Sequence, residues 1–208
     1  MIRILIGIKL KKIISYKKFV GDFFDDSTYS GLENLGFQQG IILEPSMGVG
    51  GFFGNMPEEM KNSSHLYGVE LDSLTGRIAQ TIYPDAETNI QGFEDTLYLN
   101  NSFDIAVGNV PFGNYRVNDK GYNQHSFLIH AYFIAKMIDQ VRTGGIVAVI
   151  TSRGTLDKQD KSARKYFAQR ADLVRAIRLP NTAFKEAGTE VTSDILFFRK
   201  LENIRDEE

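Results

Sequence analysis

Asn109-Val110-Pro111-Phe112 follows directly on the apolar run Phe103-Asp104-Ile105-Ala106-Val107-Gly108. The four residues combine a side-chain amide, a proline-restricted peptide and an aromatic ring, the parts needed to hold a planar amino group. The Asn109 side-chain oxygen can accept one amino hydrogen. The Val110 carbonyl can accept the other, because Pro111 biases Val110 toward extended backbone and helps to fix that carbonyl. Phe112 offers a face for an aromatic base, a contact worth roughly 1–3 kcal/mol in single-strand binders. An aromatic amine is a weak nucleophile because its lone pair is delocalised into the ring. Two acceptors on its hydrogens favour the tetrahedral nitrogen that develops as the lone pair attacks. If the methyl donor is already a sulfonium, no strong general base is needed, and catalysis rests on placement and electrostatics. Alone, the tetrapeptide reads equally as a strand-end turn, since Asn, Pro and Gly are common turn residues.

A second motif lies upstream. Glu44-Pro45-Ser46-Met47-Gly48-Val49-Gly50 also follows an apolar segment, Ile41-Ile42-Leu43. Gly48 and Gly50 would let backbone approach a ligand closely and reach positive φ. A dinucleotide-binding loop needs a third glycine three residues after the second. That position is Phe53, so this fingerprint fails and a cofactor without a pyrophosphate fits better. Glu70 stands at the end of the next strand-like segment, ~20 residues on, where an acid binds ribose hydroxyls in parallel α/β sheets. Glu94 follows the third such segment and could accept from the amino group of an adenine, with Phe93 against its face. Glu44, Pro45, Ser46, Gly48, Gly50, Glu70 and Glu94 are therefore the expected cofactor contacts, and Asn109, Val110, Pro111 and Phe112 the expected catalytic ones. His65, His125 and His130 show no paired ligand spacing, so no metal site is expected. Ser46 lacks the glycine-flanked elbow of a hydrolase nucleophile.

These motifs must be positioned by the elements around them. Strands are expected at Ile41–Leu43, Leu66–Val69, Thr88–Gln91, Phe103–Val107, Ile146–Ile150, Leu173–Leu179 and Ile195–Phe198. Helices are expected at Phe52–Lys61, Leu71–Ile82 with Asp72 or Ser73 as N-cap, Phe127–Val141 and Ala163–Ala171. The pair Gly144-Gly145 is expected to stop the third of these helices. Strand–helix alternation of this kind predicts an α/β fold with a mostly parallel sheet covered on both faces. The polar segment Gly113–Gln124 is long for a connection, and such loops are more often functional than accidental.

The chain has 208 residues, a formal net charge of −2 and no cysteine. That length can bury about 70 per cent of its unfolded surface without a metal or disulfide staple. The missing cysteines exclude a thiol nucleophile, a thiolate zinc site and disulfides, and fit a reducing compartment. A free-standing DNA-binding domain would usually be basic. Charge is uneven, however: Lys158, Lys161, Arg164, Lys165, Arg170, Arg175 and Arg178 form a basic stretch, read as a solvated helix face or a phosphate-facing one. Met1–Lys18 is too short and too interrupted by Arg and Lys to span a membrane, and no signal peptide is recognisable, so a cytoplasmic location is expected.

Taken together, the motifs resemble the amino-group DNA methyltransferases that modify adenine at N6. The resemblance is closest to the methylase region of helicase–methylase proteins of phages and conjugative elements. It is carried by Leu43–Gly48, Tyr67–Asp72, Gly108–Gly113, Val141–Gly145, Ile150–Thr155 and Ala187–Asp194, in that order, over about Leu32 to Lys200. The resemblance implies S-adenosyl-L-methionine as donor, adenine in DNA as acceptor, and a doubly wound Rossmann-like sheet ending in an antiparallel strand. It implies cofactor contacts at Glu44–Gly50, Glu70 and Glu94, and target-base contacts at Asn109, Val110, Pro111 and Phe112.

Three departures stand beside it. Val110 replaces the first proline of the commoner catalytic tetrapeptide. The Asn/Tyr/Thr-containing motif usual before the first strand is not recognisable in Met1–Ser30. No separate target-recognition or helicase module is expected within this length; the chain is read as a catalytic core or a truncated open reading frame, with such a module as a candidate partner. The expected organisation is an N-terminal segment over 1–30, a catalytic domain over 31–201 and a charged tail over 202–208. Two other readings stay open: a glutamine-N5 or RNA-base methyltransferase, and a catalytically silent cofactor- or DNA-binding module.

Overall fold

The computed structural model describes residues 28–181 and 192–206. Among the described residues, seven strands form one sheet: β1 (Ile41–Glu44), β2 (His65–Glu70), β3 (Glu87–Ile90), β4 (Phe103–Asn109), β5 (Val141–Ser152), β6 (Ala171–Arg178) and β7 (Ser193–Lys200). Their order across the sheet is β3-β2-β1-β4-β5-β7-β6. Only β7 runs against its neighbours, pairing antiparallel with both β5 and β6. The mostly parallel sheet with one reversed C-terminal strand is the arrangement expected from the sequence.

Side-chain alternation splits the sheet into two apolar faces. Ile105, Val107, Ile146, Ala148, Ile150, Ile195 and Phe197 point to one, with Tyr29, Leu32, Phe52 and Phe53 packed on them. Ala106, Val147, Val149, Leu196 and Phe198 point to the other. That second face is covered by α5 (Ile129–Gln140), in which every residue except His130 and Asp139 is buried. A helix buried nearly all round lies between layers rather than on a surface. Here the second layer is α7 (Ser162–Arg170), through Tyr166 and Phe167.

Two expectations need correction. The helix expected over Phe52–Lys61 is two short ones, α2 (Gly51–Asn55) and α3 (Glu58–Asn62). Pro57 disfavours helical backbone at the residue before it, and Met56 is extended at φ −68°, ψ 137°. The glycine pair does not end α5 either. The helix stops at Gln140, and Val141 already pairs with Phe103, so Gly144 and Gly145 lie inside the irregular first part of β5. β-Branched Val141 suits the strand, and the register shift between Phe103 and Ile105 takes up the extra residues. The remaining helices are α1 (Ser30–Asn34), α4 (Ser73–Ile82) and α6 (Gly154–Asp157). As the sequence predicts, Asp72 caps α4, accepting the Thr75 N–H at 2.9 Å. No helix among the described residues is long and apolar enough to cross a membrane. Met1–Lys18 and Ala187–Val191 of the sixth motif lie outside the described residues.

Candidate active site

The strand order reverses between β1 and β4, and in open α/β sheets ligands bind beyond the carboxyl ends of the strands at that point. Glu44 closes β1, Glu70 closes β2 and Asn109 closes β4. The two principal motifs lie side by side there: β1 and β4 are paired neighbours, Leu43 opposite Ala106, and a Cβ placed on Gly108 would sit 3.6 Å from Pro45 Cδ. The glycine loop and the Asn109 turn therefore share one rim of the sheet, close enough for a single pair of ligands to span them.

The glycine loop is held by backbone. Met47 N–H donates to the Val69 carbonyl at 3.0 Å and Gly50 N–H to the Met47 carbonyl at 2.8 Å. Gly48 and Gly50 both have left-handed backbone, at φ 57° and 77°. At Gly50 the Tyr83 ring occupies the space a side chain would need, and its hydroxyl donates to the Gly50 carbonyl at 2.8 Å. At Gly48 a Cβ would meet no atom within 4 Å, so the loop is open on that side.

Glu70 grips this loop. Its Oε2 accepts the Gly48 N–H at 2.9 Å, and its Oε1 accepts the Asp72 N–H at 2.8 Å. Each carboxylate oxygen keeps a further acceptor site. Glu44 is placed differently from an exposed ligand. It is 1% exposed, and its carboxylate accepts the backbone N–H groups of Phe52 and Phe53 at the start of α2. Burial pushes its pKa well above the ordinary carboxylate value, against the lowering effect of those two amides. Its Oε2 has no hydrogen-bond partner among the described residues.

Glu94 lies in a one-turn 3-10 helix, Phe93–Asp95, and its carboxyl folds back over Gly92, where a Cβ would come 2.6 Å from Glu94 Cδ. Phe93 does not offer a stacking face. It is 2% exposed, with its ring against Tyr132 and Phe133 and the Lys136 ammonium 4.8 Å from its centroid. The apolar surface over α5 draws it inward, a competition that spacing along the chain does not reveal.

At the turn after β4, Asn109 pairs with Ile150 of β5, and Val110 N–H donates to the Ile150 carbonyl at 3.1 Å. Val110 is buried, whereas Phe112 is 41% exposed and so presents its ring outward. The long polar segment after it is ordered around Asp119. Its Oδ2 accepts from Tyr132 at 2.8 Å and from Lys136 at 2.9 Å, and its Oδ1 accepts the Gly121 N–H at 2.9 Å. Burial raises the Asp119 pKa, but these three donors outweigh it and the net shift is downward. Lys136 also donates to the Phe93 carbonyl at 2.7 Å, joining the turn after β3 to the loop after β4.

Sequence reasoning missed this lysine, which sits in an otherwise apolar helix and carries no motif. It also missed Tyr29, whose hydroxyl donates to the Phe52 carbonyl at 2.6 Å and ties the segment before β1 to α2. Two of the later motifs meet as well: Thr151 pairs with Asp194 and Ser152 with Ser193.

The N-6 DNA Methylase family model matches residues 21–208. The chain is also 33% identical, over 171 residues, to Defense against restriction protein B of Escherichia phage P1. It belongs to the N-6 DNA Methylase family. The match covers 79% of this chain and 7% of the phage protein, so the chain spans a small part of that relative's length. A Listeria monocytogenes protein provisionally assigned as a class I S-adenosylmethionine-dependent methyltransferase shares the fold. Its TM-score is 0.67 at 17% identity, covering 96% of this chain and 62% of that one. So does the methyltransferase subunit of a Streptococcus thermophilus type I restriction-modification system, with a TM-score of 0.66 at 14% identity over 78% and 40% of the two chains.

Proposed function

We propose that this chain is the catalytic core of an S-adenosyl-L-methionine-dependent methyltransferase acting on the N6 amino group of adenine in DNA. The observation that carries the reading is the pairing of β1 with β4, which leaves the Glu44–Gly50 loop beside the Asn109 turn at one rim of the sheet. Membership of the N-6 DNA Methylase family supports the choice of acceptor. The residues present fit the cofactor: Gly48 opens on free space, and Glu70 retains acceptor capacity for ribose hydroxyls. Bound there, S-adenosyl-L-methionine supplies a sulfonium methyl group.

The protein's part is placement. Asn109 Oδ1 and the Val110 carbonyl hold the two amino hydrogens and so turn the nitrogen lone pair toward the methyl carbon. Phe112 stacks on the base once it has left its helix. Pro45, Ser46 and Gly50 shape the floor beneath the donor, and Glu94 meets its adenine amino group. Glu44 acts through the start of α2, holding the loop rather than touching the open side. A separate recognition or helicase module that chooses the target sequence belongs to the same proposal.

The test is transfer of labelled methyl to DNA, RNA and a glutamine-containing peptide, with S-adenosyl-L-methionine affinity measured by calorimetry. Label in N6 of adenine in DNA is the expected outcome. Transfer only to RNA or peptide would reassign the acceptor, and cofactor binding without any transfer would make this a binding module.

A further inference from the structure

The basic stretch from Lys158 to Arg178 contains two kinds of cation. Arg170 lies over the Tyr166 ring at 3.6 Å and is 3.6 Å from Asp139. Arg178 pairs with Asp194 at 2.8 Å and Asp157 at 2.9 Å. These two serve the fold. Lys158 and Arg164 stand outside such ion pairs: among the described residues, neither has a carboxylate oxygen within 4.0 Å, although Arg164 donates to the Thr155 carbonyl at 3.4 Å. The same is true of Arg116, in the loop after β4.

These three cations and His130 line one cavity of about 130 Å³. Phe127 and Ala131 line it too. Asp160 is the one carboxylate in the lining among the described residues, and it is engaged by the Ser162 N–H at 2.9 Å. Burial depresses the His130 pKa, and the charge of Lys158 adds to the effect. The walls grow from the ends of β4 and β5, strands that pair through Asn109 and Ile150. Asp160 offsets part of the cations' charge, its pKa being lowered by the Ser162 contacts and by Lys158 and Arg164, but three cations around one carboxylate still repel one another, and an anion between them reduces that cost. Arginine forks suit a phosphate in particular.

We propose that this cavity takes a backbone phosphodiester of the DNA strand that carries the target base. The inference rests on the nucleic-acid reading of the Asn109 site and gives it a second anchor. Such a contact fixes where the strand lies without reading its sequence. It also explains how a chain of net charge −2 can hold DNA beside its catalytic turn.

Arg116→Ala, Lys158→Ala and Arg164→Gln are to be compared with the unmodified chain in binding a fluorescein-labelled adenine-containing duplex across a salt series. Each lost phosphate contact should lower the slope of log affinity against log salt by about 0.9. Affinity should fall to a similar degree on duplexes with and without the target adenine, while S-adenosyl-L-methionine affinity stays unchanged. In a second arm, single phosphates flanking the adenine are replaced by neutral methylphosphonate. One such position should weaken binding to the unmodified chain yet add no further loss in Lys158→Ala. Variants that keep the original salt slope, or a methylphosphonate effect that persists undiminished in them, overturn the assignment. If the unmodified chain methylates DNA while the variants behave like it, the cavity assignment alone falls. If it binds no DNA, the acceptor reading falls too.

Discussion

Glu70 Oε2 accepts the backbone N–H of Gly48 at 2.9 Å, so the acid at the end of β2 is part of the glycine loop's own structure. Spacing along the chain singles out both residues but does not say that they bond. The contact makes the proposed ribose binding and the loop shape depend on one carboxylate. Glu70→Ala removes the acceptor for both Gly48 and Asp72. A hydrogen bond to a charged group contributes about 1.5–3 kcal/mol. We therefore expect S-adenosyl-L-methionine affinity to fall at least about tenfold in Glu70→Ala, with a smaller fall in Glu70→Gln, which keeps one acceptor oxygen. Calorimetric titration checks both. An unchanged affinity in Glu70→Ala would remove Glu70 from the cofactor site.

Asn109→Ala separates chemistry from cofactor binding. The residue ends β4 on the rim, and its amide is the acceptor proposed for one amino hydrogen. Loss of one preorganised polar contact to the reacting centre typically lowers kcat by about 10²–10³. We expect at least that loss, with S-adenosyl-L-methionine affinity within a few-fold of the unmodified chain. Phe112→Ala should behave differently, since its exposed ring is the face proposed for the base: DNA affinity should weaken by roughly 1–3 kcal/mol. Equal loss of cofactor binding and transfer in Asn109→Ala would mean that the amide is structural.

The parts of this fold that are legible in the sequence are those fixed by local physics. Alternating apolar runs give the strands because one face or both must be buried, and Asp72 gives the start of α4 because a carboxylate satisfies free amides there. Glu44 shows where such reading stops. Its position at a strand end is visible, but its burial, and its bonds to Phe52 and Phe53, depend on how α2 folds back over β1. Phe93 illustrates the same limit: an aromatic beside an acid suits an adenine pocket, yet the apolar layer over α5 takes the ring. The cavity between Arg116 and Lys158 unites residues from two loops, and no spacing rule joins them.

Glu44 makes a prediction about pH. Its pKa is raised in the fold by burial, above an ordinary value of 4.5. A raised carboxyl favours the folded state while it is protonated, and that contribution is lost as pH rises through the folded-state pKa. Glu44→Gln keeps an acceptor oxygen for the α2 amides but never ionises. Its Tm should therefore gain on that of the unmodified chain as pH is raised above the carboxylate range. Thermal melts from acidic to mildly alkaline pH check this. A constant difference between the two melting curves would show that Glu44 does not titrate with unfolding.

Lys136 joins the two sides of the candidate site. Its ammonium reaches the Phe93 carbonyl at 2.7 Å and Asp119 at 2.9 Å, with side-chain exposures of 8% and 13% for the ion pair. Lys136→Met fits the apolar helix but leaves the Asp119 carboxylate without its cation and cuts the tie to the Phe93 carbonyl, which keeps the Thr96 hydroxyl as a donor at 2.7 Å. Breaking a buried pair in this way costs about 3–5 kcal/mol, and the open side of Asp119 places this one near the lower end. The loop carrying Asp119 should loosen before the fold melts, because Tyr132 alone then holds its Oδ2. Hydrogen exchange should rise over the segment from Gly113 to Gln124 and in the turn at Phe93, with β1 and β5 unaffected. Double substitution with Asp119→Asn should recover part of the stability by removing the orphaned charge. If the single and double variants lose the same amount, the two side chains are not coupled, and the loop is held by its own turns.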